Sequence, residues 1–128
     1  MGYFYTGFDY KNRKNGYFKI GETGQKNLGS RLSNIRQYDS FQCLGYIELI
    51  NETLSERRLV ESYVRVMMER IPELTQTQND HFLYTIESKE RKYEQAQGYA
   101  EQALHHARCA CQLFNIQFKE GTKVFKRS

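Results

Sequence analysis

The chain has 128 residues, 39% hydrophobic and 27% charged, with a single proline, which fits one folded domain with or without an appendage and excludes a disordered or collagen-like chain. No apolar run reaches the length of a membrane span and the N-terminus lacks a signal peptide's apolar stretch, so no membrane partner is expected. Three cysteines, Cys43, Cys109 and Cys111, fit no disulfide framework and point to free thiols in a reducing, cytoplasmic setting.

The net charge of +4 is unevenly placed. Residues 10–38 hold seven bases and one acid, residues 39–101 seven bases and 12 acids, and residues 102–128 five bases and one acid. A basic edge beside an acidic middle steers toward a polyanion. Lys11, Arg13, Lys14, Lys26 and Arg36 are the candidate nucleic-acid contacts on that edge. A solvated basic loop is the plainer reading of the same residues.

Residues 2–8 and 17–21 are aromatic-rich and read as two strands, joined by a polar loop ending in the turn dipeptide Asn15-Gly16. A ladder centred near Asn12 sets Tyr5 opposite Lys19 on one face. Leu28, Leu32 and Ile35 form one stripe of a short helix over 28–38, with Arg31 and Arg36 flanking it. Residues 42–50 read as a third, largely buried strand.

Thr53 and Glu56 make a capping box for a second helix that Pro72 terminates. Leu59, Val60, Tyr63, Val64, Met67, Met68 and Ile71 form its apolar stripe. Glu61 falls about 20° outside that stripe, at a seam between core and solvent. After a loop, residues 81–86 read as a short closing strand.

From Ser88 to about Asn115 the pattern is helical again. Tyr93, Ala96, Ala100, Ala103, Leu104, Ala107, Ala110, Cys111 and Phe114 recur with a period near 3.5. This small-residue seam suits a homodimer through the 88–115 helix, or a helix lying flat on its own domain. Lys119 to Ser128 reads as a frayed basic tail. His105 and Cys109 stand one turn apart, but one helix face offers two of the four ligands a structural zinc needs, so packed thiols and partly exposed imidazoles are expected.

The order Gly2-Tyr-Phe-Tyr5, then Lys19-Ile20-Gly21 with Thr23 two positions on, then Asn27-Leu28-Gly29-Ser30-Arg31-Leu32, resembles the GIY-YIG nuclease superfamily, in particular its phage-type branch with a K-I-G second motif. The resemblance covers residues 2–86. It implies an α/β (α+β) fold: a small three-stranded antiparallel sheet flanked by helices over 1–86, with 87–128 as a C-terminal helical extension and basic tail. The implied activity is metal-dependent hydrolysis of DNA phosphodiester bonds, with DNA the expected nucleic acid.

Carried over position by position, the resemblance makes Tyr5 the base for the attacking water. It makes Arg31 the stabiliser of phosphate charge and Glu61 the holder of one divalent metal, Mg²⁺ or Mn²⁺. Asp80-His81-Phe82 matches the segment that closes this branch's core, which makes His81 and Asn79 further candidates. Lys19 stands where other members have Tyr, and a lysine opposite Tyr5 is expected to lower the phenol's pKa. Tyr3 and Tyr17 share the Tyr5 face as alternates. A phosphodiester hydrolase needs an activated water, neutralisation at the non-bridging oxygens and a Lewis acid near the leaving oxygen, and this set offers all three. Taken singly, each is an ordinary strand aromatic or solvated helix charge. The alternative is a catalytically impaired GIY-YIG-like nucleic-acid-binding or regulatory protein; an adaptor built on the Ala-rich helix ranks last.

Overall fold

A computed structural model of the chain describes residues 2–11, 15–33, 41–78 and 80–121. Two long strands, β1 (Gly2–Asp9) and β2 (Gly16–Thr23), form the hairpin expected from the aromatic runs, but Gly16 of the expected turn dipeptide is the first residue of β2, and neither it nor Asn15 takes a positive φ. The chain continues through α1 (Leu28–Ser33), β3 (Phe41–Ile50), α2 (Leu54–Glu69), β4 (Thr75–Gln78), β5 (His81–Tyr84), α3 (Lys92–Leu113) and β6 (Gln117–Glu120). The periodicity predicts a first helix running to residue 38; residues 34–38 lie outside the described residues.

The sheet has six antiparallel strands in the order β4-β5-β2-β1-β3-β6, which corrects the expected three-stranded sheet. The predicted strands β2-β1-β3 are its centre. β5 extends it at one side and carries β4 as an edge, although Thr75-Gln-Thr-Gln78 has no apolar residue to signal a strand. On the other side, part of the expected frayed tail is a strand. Asn115 takes a left-handed conformation (φ 57°) after α3, and the Ile116 amide bonds back to the Cys111 carbonyl at 2.8 Å. This reversal, the common end of a helix, returns the chain along the open edge of β3. There Gln117–Glu120 pair with Ile47–Ile50.

The hairpin register differs from expectation by two residues on β2. Tyr5 pairs with Gly21, and Lys19 pairs with Gly7. A shift of two keeps side-chain parity, so Tyr5 and Lys19 still project from one face of the sheet, as diagonal neighbours.

β1 sends Phe4 and Phe8 to one face and Tyr3 and Tyr5 to the other. β3 cannot keep a single alternation, because a bulge intervenes: Thr6 pairs with Gly45 but Gly7 with Cys43, which leaves Leu44 as the extra residue. Ile47 and Leu49 therefore face the main core, whereas Cys43 and Phe41 face the Tyr5 side. This is why the strand reads as largely buried along its whole length rather than alternating.

The main core lies under α2 and α3. Val60, Val64 and Met68 of α2 are buried there, as are seven residues of α3: Ala96, Ala100, Ala103, Leu104, Ala107, Ala110 and Cys111. Both halves of the capping box at Thr53 and Glu56 form, at 3.1 and 2.9 Å. The small-residue seam of α3 is thus filled by the protein's own sheet. At Gly45 the approach is so close that an added Cβ would sit 2.5 Å from Leu104. The hydrophobic core runs without a break across residue 86, the expected domain boundary. On the opposite face a smaller cluster holds Tyr5, Leu28 and Cys43, with Tyr3, Leu32, Phe41 and Tyr46 packed around it. Among the described residues no helix is long and apolar enough to cross a membrane.

Because α3 supplies so much of the main core, a chain ending after Ile86 is expected to lose its cooperative thermal transition by circular dichroism and to bind a hydrophobic dye. The full chain should show one sharp transition.

Candidate active site

The site begins with a missing side chain. Gly21 lies directly opposite Tyr5, and a Cβ there would stand 2.5 Å from both the ring and the phenol oxygen. The Tyr5 ring therefore lies across the neighbouring strand, over the glycine of Lys19-Ile20-Gly21. Phe41 meets it edge-on at 6.2 Å between centroids. The Tyr5 Oη is sealed from solvent and meets no hydrogen-bond partner of good geometry among the described residues, although the Arg31 guanidinium lies close enough to act on it.

Three separate segments bring charge to this phenol. Burial pushes the Tyr5 pKa up to about 12; the nearby Arg31 guanidinium of α1 opposes the rise, and the Asp80 and Glu61 carboxylates add to it. Arg31, Glu61 and Asp80, which precedes β5, thus each lie within electrostatic reach of the Tyr5 phenol. Tyr3 responds instead to Glu48 and Tyr46, and its hydroxyl donates to the Lys26 carbonyl at 3.1 Å. Of the two tyrosines on β1, Tyr5 is the one coupled to the predicted arginine and glutamate. Tyr17 lies farther along β2, paired with Leu83.

Lys19 does not act on the phenol as expected. It is buried to 1% exposure, and its Nζ bonds to Asp80 Oδ2 at 2.5 Å. The other oxygen of the same carboxylate takes His81 Nε2 at 3.1 Å. Burial works against the Asp80 charge, but the hydrogen bonds from His81 and Lys19, with the Lys19 and His81 charges, hold its carboxyl well below the usual range. The β2-β5 ladder runs as far as Lys19↔His81, where the Ile20 amide also bonds to the Asp80 carbonyl at 3.0 Å. Asp80 is thus the anion that keeps Lys19 in the interior, which its neighbour His81 alone did not reveal in the sequence. The expected lowering of the Tyr5 pKa by Lys19 is overturned: Lys19 faces Asp80, and the phenol moves upward.

Glu61 sits half-buried on α2. Burial, then the Asp80 and Glu22 charges, push its pKa up to about 7, against the pull of Lys19 and Arg65. One turn earlier, Arg57 anchors the helix. It donates to Glu22 Oε2 and Glu52 Oε1, both at 3.0 Å, which ties α2 to the ends of β2 and β3. Sequence reasoning did not single out Arg57; its spacing of four residues from Glu61 is the available signal.

A divalent cation at this half-buried carboxylate would favour the ionised form that burial opposes. Among the described residues no three His, Cys, Asp or Glu side chains enclose a cation site. A metal here would rest on Glu61, waters and phosphate oxygens, as hard Mg²⁺ or Mn²⁺ tolerates. Of the expected nucleic-acid contacts, Lys11 and Lys26 are exposed. Arg13, Lys14 and Arg36, together with Asn79, lie outside the described residues. No family model, curated protein or solved structure matches the chain.

Gly21→Ala is expected to force the Tyr5 ring aside and cost about 1–3 kcal/mol, read from the denaturant midpoint. Glu61 keeps a proton in the folded chain between its ordinary pKa of 4.5 and about 7 that the unfolded chain has released. Metal-free stability therefore falls as pH rises through that window. Glu61→Gln removes the decline and should be the more stable protein at pH 8, by about 1–3 kcal/mol after allowance for solvent screening. At pH 4.5 its advantage over wild type should be lost; melting temperatures in EDTA at the two pH values check this.

Proposed function

We propose that the chain is a GIY-YIG-type endonuclease that hydrolyses DNA phosphodiester bonds with one divalent metal. The observation that carries this reading is the coupling of the Tyr5 phenol, seated over Gly21, to Arg31 and Glu61 from two separate helices. A phenol, a guanidinium and a carboxylate are the groups the reaction needs, and the basic segment 10–38 supplies attraction for the backbone.

In this reading the ionised Tyr5 oxygen takes the proton of the attacking water while the Arg31 guanidinium neutralises the non-bridging oxygens. Glu61 holds the cation, which supplies Lewis-acid stabilisation of the leaving oxygen when bound. Asp80 serves by holding Lys19 and His81, and so the end of the β2-β5 ladder, in place. Because the phenol's pKa stands at about 12, its ionised fraction near neutrality is on the order of 10⁻⁵. The alkaline form carries the activity.

Supercoiled plasmid with Mg²⁺ or Mn²⁺ should be nicked, with the rate rising about tenfold per pH unit between 7.5 and 9. Tyr5→Phe should remove that slope. Arg31→Ala should slow nicking by about 10²–10³-fold, and Glu61→Ala should abolish it. Equal nicking by wild type and Glu61→Ala would overturn the proposal.

The sealed Tyr5 oxygen favours a second reading, in which the chain binds nucleic acid without cutting it. Binding that weakens steeply with salt, with no cleavage under either metal, selects it.

A further inference from the structure

The outward face of α3 carries a pair of ligand side chains that the nuclease reading does not use. His105 is exposed and Cys109 half-exposed, and His105 Nε2 lies 3.6 Å from Cys109 Sγ. Tetrahedral zinc with Zn–S of about 2.3 Å and Zn–N of about 2.0–2.1 Å sets its sulfur and nitrogen ligands about 3.5–3.6 Å apart. The pair is already at that spacing. We propose that His105 and Cys109 are half of a zinc site, completed by the same two residues of a second copy of the chain.

Three features of this face fit the arrangement. Arg108, the adjacent cation, is held by both oxygens of Glu120 on β6, so its charge is offset before a metal approaches. Among the described residues no third ligand joins the pair, so four-coordination requires a second molecule. Leu113, one turn beyond Cys109 on the same face, is 66% exposed and offers apolar surface for that contact. Cys43 and Cys111 are buried and burial pushes both thiols up to about 11, which leaves Cys109 as the accessible sulfur. Binding releases one proton from each Cys109 thiol to solvent; two thiolates, two neutral imidazoles and Zn²⁺ make a neutral Cys₂His₂ centre. Thiolate and imidazole together select zinc over magnesium or manganese.

Sedimentation of the full chain tests this with zinc sulfate as the probe. The chain should run as a monomer in EDTA and double its mass at one zinc per two chains. Cobalt(II) in place of zinc should give a thiolate charge-transfer band. Cys109→Ser and His105→Gln should melt as wild type yet stay monomeric with zinc. Glu61→Gln should still dimerise, which separates this site from the one on α2. A monomer at all zinc concentrations, zinc bound one per chain with no mass change, or a dimer surviving Cys109→Ser would each overturn the proposal. So would a dimer already present in EDTA or one formed without zinc and undone by reductant.

Discussion

The site rests on the absence of one carbon atom. Antiparallel pairing sets Tyr5 and Gly21 side by side, and the missing Cβ lets an aromatic ring lie across the adjacent strand instead of standing away from it. Once the ring lies down, its oxygen stands over β2, within electrostatic reach of Arg31 from α1 and Glu61 from α2. Leu28 and Cys43 pack with the ring in the smaller cluster, so packing fixes the phenol's position, with the Arg31 guanidinium acting on its oxygen. A tyrosine held this way has little freedom to wander. The cost is a desolvated hydroxyl, and the displaced pKa is the direct expression of that cost.

The surrounding charges divide into two sets with different jobs. Lys19 and His81 each bond to one oxygen of the Asp80 carboxylate and close the join between β2 and β5. A lysine at 1% exposure survives there because a carboxylate faces it; removal of either partner would leave an uncompensated buried charge. Glu61 belongs to the other set. Arg57, which balances Glu22 and Glu52, fixes the helix but stops one turn short of Glu61. What opposes the Glu61 charge is chiefly burial, a cost to its ionised form that a bound cation would offset. Stability and the proposed chemistry pull in opposite directions at this one residue.

The strong local signals were legible in the sequence. The aromatic strands, the Thr53/Glu56 box and the Ala-rich stripe each reflect chemistry within a few residues, and each corresponds to an element in the fold. Motif order singled out Tyr5, Arg31 and Glu61, and the fold sets the last two within electrostatic reach of the first. What escaped were features decided by distant partners. β4 is a strand because β5 lies beside it, and β6 is one because Asn115 turns the chain back to an unpaired edge. The parity of the hairpin was right although its register was not, since a slip of two residues leaves every side chain on its face. Lys19 was misassigned for a similar reason: its partner is 61 residues away, and no local pattern connects Lys19 with Asp80.

Leu44 divides β3 into two halves of opposite allegiance: before it odd-numbered residues serve the tyrosine chamber, after it they serve the helical one. Cys43 and Gly45 stand opposite the consecutive residues Gly7 and Thr6, so without Leu44 the ladder would run regularly and each half would keep its present face. The extra residue therefore changes which numbers in the sequence look into each chamber, and leaves the chambers themselves as they are.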